Sequence, residues 1–274
     1  LQVSCNFWKS HLDFLVTAFL EIFTQVFPAL QTPAIWIQIR GEEGDHQWER
    51  KKSTRSQATH DEYVQVHEYG VTYECHLGKD LDFGIYPDMS SIRKKLGPYL
   101  TDKKLLANLY SYTGAFSLFA LKHGVHEVHS VDLSKENMQL LEKNLSLNSF
   151  AGKHISYTKS VYYFLRAKEK ESALYDVVIC DPPSASFDGK GKSSALKSYQ
   201  FYFNFFENII GPQGILVIFI NTHQVTRKQF EENMSHWIKD RWTVLDLLKL
   251  GGDCPTMKGF MEGNYLKGAI LQRH

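Results

Sequence analysis

Residues 104–132, KLLANLYSYTGAFSLFALKHGVHEVHSVD, restrict the fold of this chain more tightly than any other stretch. An apolar run from Leu105 to Tyr110 enters the short turn Ser111-Tyr112-Thr113-Gly114, and Phe116, Leu118, Phe119 and Leu121 follow with helical spacing. Beyond Gly124 the alternating run Val125 to Val131 ends in Asp132. Strand, tight turn, helix and strand is the predicted order. About 18 residues separate Gly114 from Asp132, close to the spacing of a ribose-binding acid in a nucleotide-binding βαβ unit.

Backbone that approaches a ligand at a strand-to-helix turn needs a residue without a Cβ, and Gly114 meets that need. A carboxylate at the end of the next strand offers two oxygens to the two hydroxyls of a ribose, and Asp132 is so placed. The turn has one glycine, whereas a dinucleotide site wants G-x-G-x-x-G so that a pyrophosphate can rest on the helix N-terminus. S-adenosylmethionine, which has no pyrophosphate, is therefore the better nucleoside. The competing reading is a structural βαβ turn with Asp132 capping a helix that starts near Ser134, and this segment alone leaves the two level.

A chain of 274 residues suits one large domain or a domain with a smaller appendage, and 43% hydrophobic residues are ample for a core. The formal net charge of +1 gives no global basic field, so any nucleic-acid contact is a local patch. Four scattered cysteines (Cys5, Cys75, Cys180, Cys254) form no C-x-x-C pair, which predicts a reduced, cytoplasmic protein without a zinc site. The apolar stretch Phe14 to Phe27 is interrupted by Glu21, closed by Pro28 and has no basic flank. Leu12, Leu15, Phe19, Ile22, Phe23 and Val26 share one helical face, so an amphipathic helix packed on its own domain is expected.

Ala34 to Arg40 alternates like a strand, and residues 41–60 read as a polar loop with a basic knot at Arg50, Lys51, Lys52 and Arg55. Tyr63 to Tyr69 and Val71 to Leu77 flank Gly70 as in a hairpin. Residues 1–83 thus make a small α+β domain. Arg50, Lys51 and Lys52, with Trp48 beside them, could meet an RNA backbone while the indole stacks on a base; a solvated loop is the plainer reading. Residues 84–97 lead into a second domain, 84–274, with Asp88 or Ser90 capping a helix whose basic end holds Arg93, Lys94 and Lys95. Helices near 134–147, 160–170, 195–210 and 225–239 then alternate with strands near 154–158, 175–180, 215–220, 243–250 and 265–272. That alternation predicts an α/β fold with a mainly parallel, doubly wound sheet.

The second chemical stretch is Tyr175 to Ser186, YDVVICDPPSAS, in which a buried strand delivers Asp181-Pro182-Pro183 at its carboxyl end, where open α/β sheets bind ligands. Two prolines give up their N–H groups but hold fixed φ, so their carbonyls are rigid acceptors for an amine or nucleobase. Pro-Pro is also a common stop signal after a strand. Its recurrence with Gly114 and Asp132 at successive strand ends favours the functional reading.

NLYSYTGAFS (108–117), SVDLS (130–134), the DPP of 181–183 and EGNYLKG (262–268) resemble the bacterial S-adenosylmethionine-dependent methyltransferases of large-subunit ribosomal RNA, the cytosine-C5 group that often carries an N-terminal PUA domain. The resemblance covers roughly residues 60–274, with HEYGVTYECHLG and GIYPDMSSIR similar to the family's lead-in. It implies a Rossmann-like class I methyltransferase domain with S-adenosyl-L-methionine as cofactor. Tyr112, Thr113 and Gly114 would approach the methionine part, Asp132 would hold the ribose, and Asp181 and Pro182 would face the methyl donor and the target base. The expected cofactor set comprises Tyr110, Ser111, Tyr112, Thr113, Gly114, Ala115 and Phe116 at the first turn, Asp132 and Leu133 at the second strand end, Ser160 and Val161 at the third, and Asp181.

The sequence departs from the family at informative places. Cytosine-C5 members attack the base with a cysteine after the fifth strand, because C5 reacts only once C6 is covalently engaged. Here the turn reads Phe219-Ile220-Asn221-Thr222-His223, with Asn221 in the cysteine's position. The resemblance then implies direct transfer to a ring or exocyclic nitrogen, with Asp181, Pro182 and Asn221 as the catalytic set. Ser160 replaces the acid that contacts adenine, and no PUA domain is expected in this sequence.

Asp188-Gly-Lys-Gly-Lys-Ser193 ends like a P-loop, but Ser186 stands where its first glycine belongs, so a basic lid carrying Lys190, Lys192 and Lys197 is expected instead. Cys180 reads as core, Cys254 as a loop thiol, and His223 as a polar loop residue or a base. The expected partner is RNA, ribosomal above all, contacted by Arg50, Lys51, Lys52, Lys190 and Lys192, with no membrane or metal and with a homodimer left open. Three other readings stay open: a methyltransferase of small molecules or proteins, a non-catalytic RNA-binding relative, and a nicotinamide-dependent dehydrogenase.

Overall fold

Apolar runs of about six residues, too short for helices and bounded by turns, line up as the strands of one sheet, and the periodic segments between them cover its two faces. The structure is a computed structural model describing residues 2–3, 11–30, 35–40, 46–51, 62–77, 82–183, 185–187, 192–252, 254, 256, 259 and 263–274. It divides into two units, Leu1–Val66 with Glu74–Ile85, and His67–Tyr73 with Tyr86–His274. The break falls two residues beyond the expected one, and the tip of the hairpin groups with the second unit.

In the first unit, β1 (Gln2–Val3), α1 (Leu12–Val26), β2 (Ile35–Arg40) and β3 (His46–Lys51) come first, and the strands form one sheet in the order β1-β2-β3. β3 corrects the expectation of a loop over 41–60: Trp48 pairs with Gln38 and Arg50 with Trp36 in an antiparallel ladder. A strand this polar shows no hydrophobic period and is specified by its ladder partner. Arg50 and Lys51 therefore lie on a strand, while Lys52 and Arg55 fall outside the described residues. The apolar face of α1 is also corrected. Leu12 is buried against Ile35 with Val16 and Leu20 beside them, whereas Phe19, Ile22 and Val26 are exposed. No described helix is long and apolar enough to cross a membrane.

The hairpin of β4 (Glu62–Glu68) and β5 (Val71–Leu77) turns at Gly70, whose φ is +77°. The second unit continues through α2 (Ser90–Leu100), β6 (Leu105–Leu109), α3 (Ala115–Lys122), β7 (Glu127–Asp132), α4 (Lys135–Ser146), β8 (Lys153–Thr158), α5 (Val161–Lys170) and β9 (Tyr175–Cys180). After the short β10 (Ala185–Phe187) and β11 (Lys192–Ser194) come α6 (Ala195–Ile209), β12 (Ile210–Asn221), α7 (Arg227–Ile238), β13 (Trp242–Leu248) and β14 (Leu266–Arg273). The expected cap of α2 is corrected. Met89 occupies the N-cap without a side-chain bond, and the helix runs past Pro98, so Arg93, Lys94 and Lys95 lie in its body rather than at its end. β10 and β11 pair antiparallel where a basic lid was expected; Lys192 opens β11, and Lys190 lies outside the described residues.

The seven-stranded sheet has the order β13-β14-β12-β9-β6-β7-β8, parallel except along β14. Its inner strands β6, β9, β12 and β14 are largely buried on both sides, as a doubly wound sheet requires, while the edge strands β8 and β13 are partly exposed. On one face Val178, Cys180, Leu216 and Ile218 pack with Phe164 of α5, Phe206 of α6 and Phe230 of α7. On the other, Val177, Ile179, Val217 and Phe219 pack with Ile92 and Leu96 of α2 and Phe119 of α3. The chain order reverses between β6 and β9: from β6 it proceeds to β7 and β8 on one side, and from β9 to β12 on the other. Ligands of open α/β sheets bind outside the carboxyl ends of the strands at such a switch point.

Candidate active site

At that switch point the ends of β6, β7, β9 and β12 border a cleft of about 550 Å3. The turn after β6 is built from unusual backbone. Tyr110, Tyr112 and Gly114 all have positive φ, at 59°, 49° and 83°. The two tyrosines hold a conformation that costs an L-residue about 1–2 kcal/mol, a kind of strain that gathers at ligand sites. Tyr110 is tied by its hydroxyl to that of Tyr202, 2.7 Å away, and the Tyr112 N–H donates to the Asp132 carboxylate at 2.9 Å. Gly114 is required for packing, since a Cβ there would lie 2.6 Å from the Leu141 side chain. Gly114 and the buried Thr113 stand behind the cleft wall, with the Thr113 carbonyl accepting from Asn144 at 3.2 Å. Tyr110, Ser111, Tyr112, Ala115 and Phe116 line the cleft itself.

Asp132, the last residue of β7, also lines it. One carboxylate oxygen accepts the Tyr112 N–H, and the other accepts the Ser134 N–H at 2.9 Å and the Asn137 amide at 3.4 Å. The helix cap proposed for Asp132 belongs to Ser134, whose hydroxyl accepts the Asn137 N–H at 3.1 Å. The carboxylate is thus fixed from behind: the oxygen bonded to Tyr112 keeps one acceptor site for a hydroxyl, and a second opens on the other oxygen when the long Asn137 contact yields to a ribose hydroxyl. Leu133 and Val161 line the cleft nearby; Ser160 is the N-cap of α5 and does not.

On the far side of the switch point, β9 and β12 bring Asp181, Pro182 and Asn221 to the same cleft. Burial first, and the charge of Asp88 second, push the Asp181 carboxyl up to about 7. Asp88 itself accepts the Tyr265 hydroxyl at 2.7 Å. Cys180 is buried in the core with its thiol pushed up by burial, and among the described residues no cysteine lines the cleft. His223 does not line it either.

Sequence reasoning missed Tyr86, Met89, Arg93, Asn137 and Lys159, all lining the cleft, while Pro183 lines it beside Pro182 as the strand-end reading expected. Arg93 is the most instructive. It is 1% exposed, forked onto Glu68 at 2.6 and 2.9 Å, and donates to the Tyr86 carbonyl at 3.1 Å. Burial works against the Glu68 charge, but the Arg93 hydrogen bonds hold that carboxyl below its ordinary value. The two residues lie 25 positions apart and no local pattern couples them. The lead-in GIYPDMSSIR was the available signal. Among the described residues no side chains cluster in a way that could hold a metal ion.

The family model for S-adenosylmethionine-dependent methyltransferases matches residues 24–239. Over 213 residues the chain is 28% identical to a ribosomal RNA large subunit methyltransferase of Deinococcus radiodurans, covering 76% of this chain and 52% of that protein. It is 26% identical over 215 residues to ribosomal RNA large subunit methyltransferase I of Aeromonas salmonicida, covering 77% and 54%. The chain therefore spans about half the length of the curated relatives it matches. Among solved structures, SMU.776 complexed with SAH superposes with a TM-score of 0.83 at 24% identity, over 99% of this chain and 68% of that one. A SAM-dependent methyltransferase from Agrobacterium tumefaciens gives 0.65 at 18% identity, over 91% and 78%. At these identities the two structures establish the fold.

Proposed function

Since this chain belongs to the S-adenosylmethionine-dependent methyltransferase family, we propose that it transfers a methyl group directly to a nitrogen of a base in structured RNA, with no covalent enzyme intermediate. Ribosomal RNA is the substrate class named for its relatives, and the cytoplasm is where such a substrate is met. The observation that carries the reading is the convergence on one cleft of Asp132 from β7, Asp181 from β9 and Asn221 from β12.

The residues present fit S-adenosylmethionine. A carboxylate pre-oriented by two backbone N–H groups suits a ribose diol, and Leu133, Val161 and Phe116 supply apolar walls. Bound there, the cofactor supplies an electrophilic methyl group on a sulfonium. The chain's own part is to hold the acceptor nitrogen in line and to receive its proton. Asp181, near 7, accepts a hydrogen bond from an amino group when ionised and can take up the proton released on transfer. Asn221 offers both a donor and an acceptor to a base edge, and the fixed Pro182 carbonyl a further acceptor. The lack of a thiol on the described cleft wall supports direct transfer over attack by cysteine. Arg50, Lys51, Lys52, Lys190 and Lys192 are the cations proposed for phosphate contacts, with the first unit presenting the RNA.

The test is calorimetric titration with S-adenosylmethionine, its demethylated product and NAD, followed by radiolabel transfer to ribosomal RNA fragments. Micromolar binding of the first two without NAD, and label in RNA, is the expected result. Binding of NAD alone would establish a dehydrogenase; cofactor binding with label only in small molecules or protein would move the substrate class.

A further inference from the structure

The parallel ladder between β9 and β12 stops at the pair Ile218–Cys180, one residue before Asp181 and three before Asn221. Beyond that pair the two strands are joined by a side chain. The Tyr199 hydroxyl, fully buried on α6, lies 2.7 Å from the Cys180 carbonyl oxygen and 2.8 Å from that of Phe219, and accepts the Phe219 N–H at 2.9 Å. Its single proton goes to one carbonyl at a time, while its lone pair satisfies an N–H that the ladder no longer serves. The ring lies against Trp237 at a tilt of 36°, with centroids 5.4 Å apart.

A second buried polar group holds the other side of Asn221. Lys267, 2% exposed on β14, donates to the carbonyls of Thr222 and Asn264 at 2.8 Å each and of Tyr265 at 3.3 Å. All three ammonium protons are spent on backbone oxygens. Burial first, and the charge of Arg227 second, lower its pKa, so keeping this cation costs stability that an apolar residue would not. Asn221 thus sits between two pinned backbone sites, Phe219 before it and Thr222 after it, and the strand carrying Asp181 is pinned to the first of them.

We propose that Tyr199 and Lys267 are positioning residues that fix the separation of Asp181 and Asn221 across the cleft, and with it the seat of the base that receives the methyl group. The proposal rests on the methyl-transfer reading above. Strands that splay at their carboxyl ends to admit a ligand lose the hydrogen bonds that set their spacing. The phenol restores it with bonds of fixed length, and the ammonium stops the following loop from drifting. Misplacing a reacting group by about 1 Å costs on the order of 100-fold in rate.

The experiment uses Tyr199→Phe and Lys267→Met, which keep side-chain bulk, alongside the wild-type chain. Expected for both is S-adenosylmethionine affinity within about threefold of wild type, with kcat on RNA reduced 10- to 100-fold and KM changed less. A second readout needs no RNA: 13C-aspartate NMR, with the Asp181 signal assigned by its loss in Asp181→Asn. Opening the strand ends in Tyr199→Phe admits water to Asp181, which moves its titration down from about 7 toward the ordinary carboxylate value. Unchanged kcat and an unmoved Asp181 titration in a folded Tyr199→Phe protein overturn the proposal. Loss of cofactor affinity in proportion to kcat overturns it as well, because that marks a general structural role. If wild type binds cofactor but transfers nothing to RNA, the RNA reading fails by itself, and the Asp181 titration still decides for or against the clamp.

Discussion

The Asp132 carboxylate accepts the backbone N–H of Tyr112 at 2.9 Å, so the acid closing β7 braces the strained turn that follows β6. The same oxygens are the proposed acceptors for the ribose hydroxyls. Asp132→Ala removes both functions. A hydrogen bond to a charged group contributes about 1.5–3 kcal/mol, so loss of even one ribose hydroxyl bond is expected to lower S-adenosylmethionine affinity at least about 10- to 100-fold by calorimetry. Affinity within twofold of wild type removes the ribose assignment.

Gly114 has φ +83° and its missing Cβ leaves room for Leu141. Gly114→Ala then meets two penalties, the left-handed backbone and a contact of 2.6 Å, and a loss of about 2–3 kcal/mol in urea unfolding is expected. Leu141→Ala in the same chain relieves the contact but not the backbone strain. Against the Leu141→Ala background, the cost of Gly114→Ala is therefore expected to drop to about 1–2 kcal/mol. An undiminished cost would mean that the backbone alone demands glycine.

The second unit was legible because its code is local. Strands such as Val177 to Cys180 are unbroken apolar runs, the helices between them keep a 3.6-residue period, and Asp132, Asp181 and Asn221 close strands and therefore meet at one edge of the sheet. What escaped depends on partners distant in sequence. β3 is polar and is a strand through its pairing with β2. Arg93 reads as a cation on a helix and is buried by Glu68, and Tyr199 reads as one aromatic among many in YQFYFNFF. Positive φ at Tyr110 and Tyr112 has no sequence signature, because residues other than glycine adopt it only when the surroundings impose it. The stripe expected on α1 failed differently: Leu12 alone of its residues is buried, packing with Val16 and Leu20 toward Ile35, while Phe19, Ile22 and Val26 of that stripe stay exposed.

Asp181 predicts a pH profile. If its ionised form receives the proton, kcat rises with pH through about 7 and levels above it. Asp88→Asn removes the charge that disfavours ionisation, so the folded-state pKa falls and the rising limb moves to lower pH, while the Tyr265 hydroxyl keeps an acceptor. Asp181→Asn should lower kcat at least tenfold and leave S-adenosylmethionine affinity within about threefold. A limb that stays in place in Asp88→Asn assigns the titration to another group.

His154 predicts a pH dependence of stability separate from catalysis. A buried chain runs from the Asn108 amide to Ser117 Oγ at 2.9 Å, on to Ser130 Oγ at 2.6 Å and to His154 Nε2 at 2.7 Å. With the amide donating, each hydroxyl passes its proton along and Nε2 is the terminal acceptor, so the imidazole is neutral. Protonating Nε2 would leave the Ser130 proton without a partner. Burial pushes the pKa down to about 4 against the attraction of Glu142, 3.9 Å away. The unfolded chain takes up this proton below its ordinary value of 6.5 and the folded chain does not, so folding stability is lost as pH falls from 6.5 toward 4 and the loss levels off below 4. The slope is about 1.4 kcal/mol per pH unit, reaching about 3 kcal/mol. Carboxylates such as Glu68 add acid sensitivity of their own, so the comparison is with His154→Gln, which keeps an acceptor for Ser130 and cannot titrate. Urea unfolding at pH 7, 6 and 5 should show the wild type losing ground to the variant at each step. A difference constant with pH would mean that the folded imidazole takes up its proton as the unfolded one does, and a wild type that gains on the variant as pH falls would place a charged imidazole in the folded protein and reverse the direction of the chain.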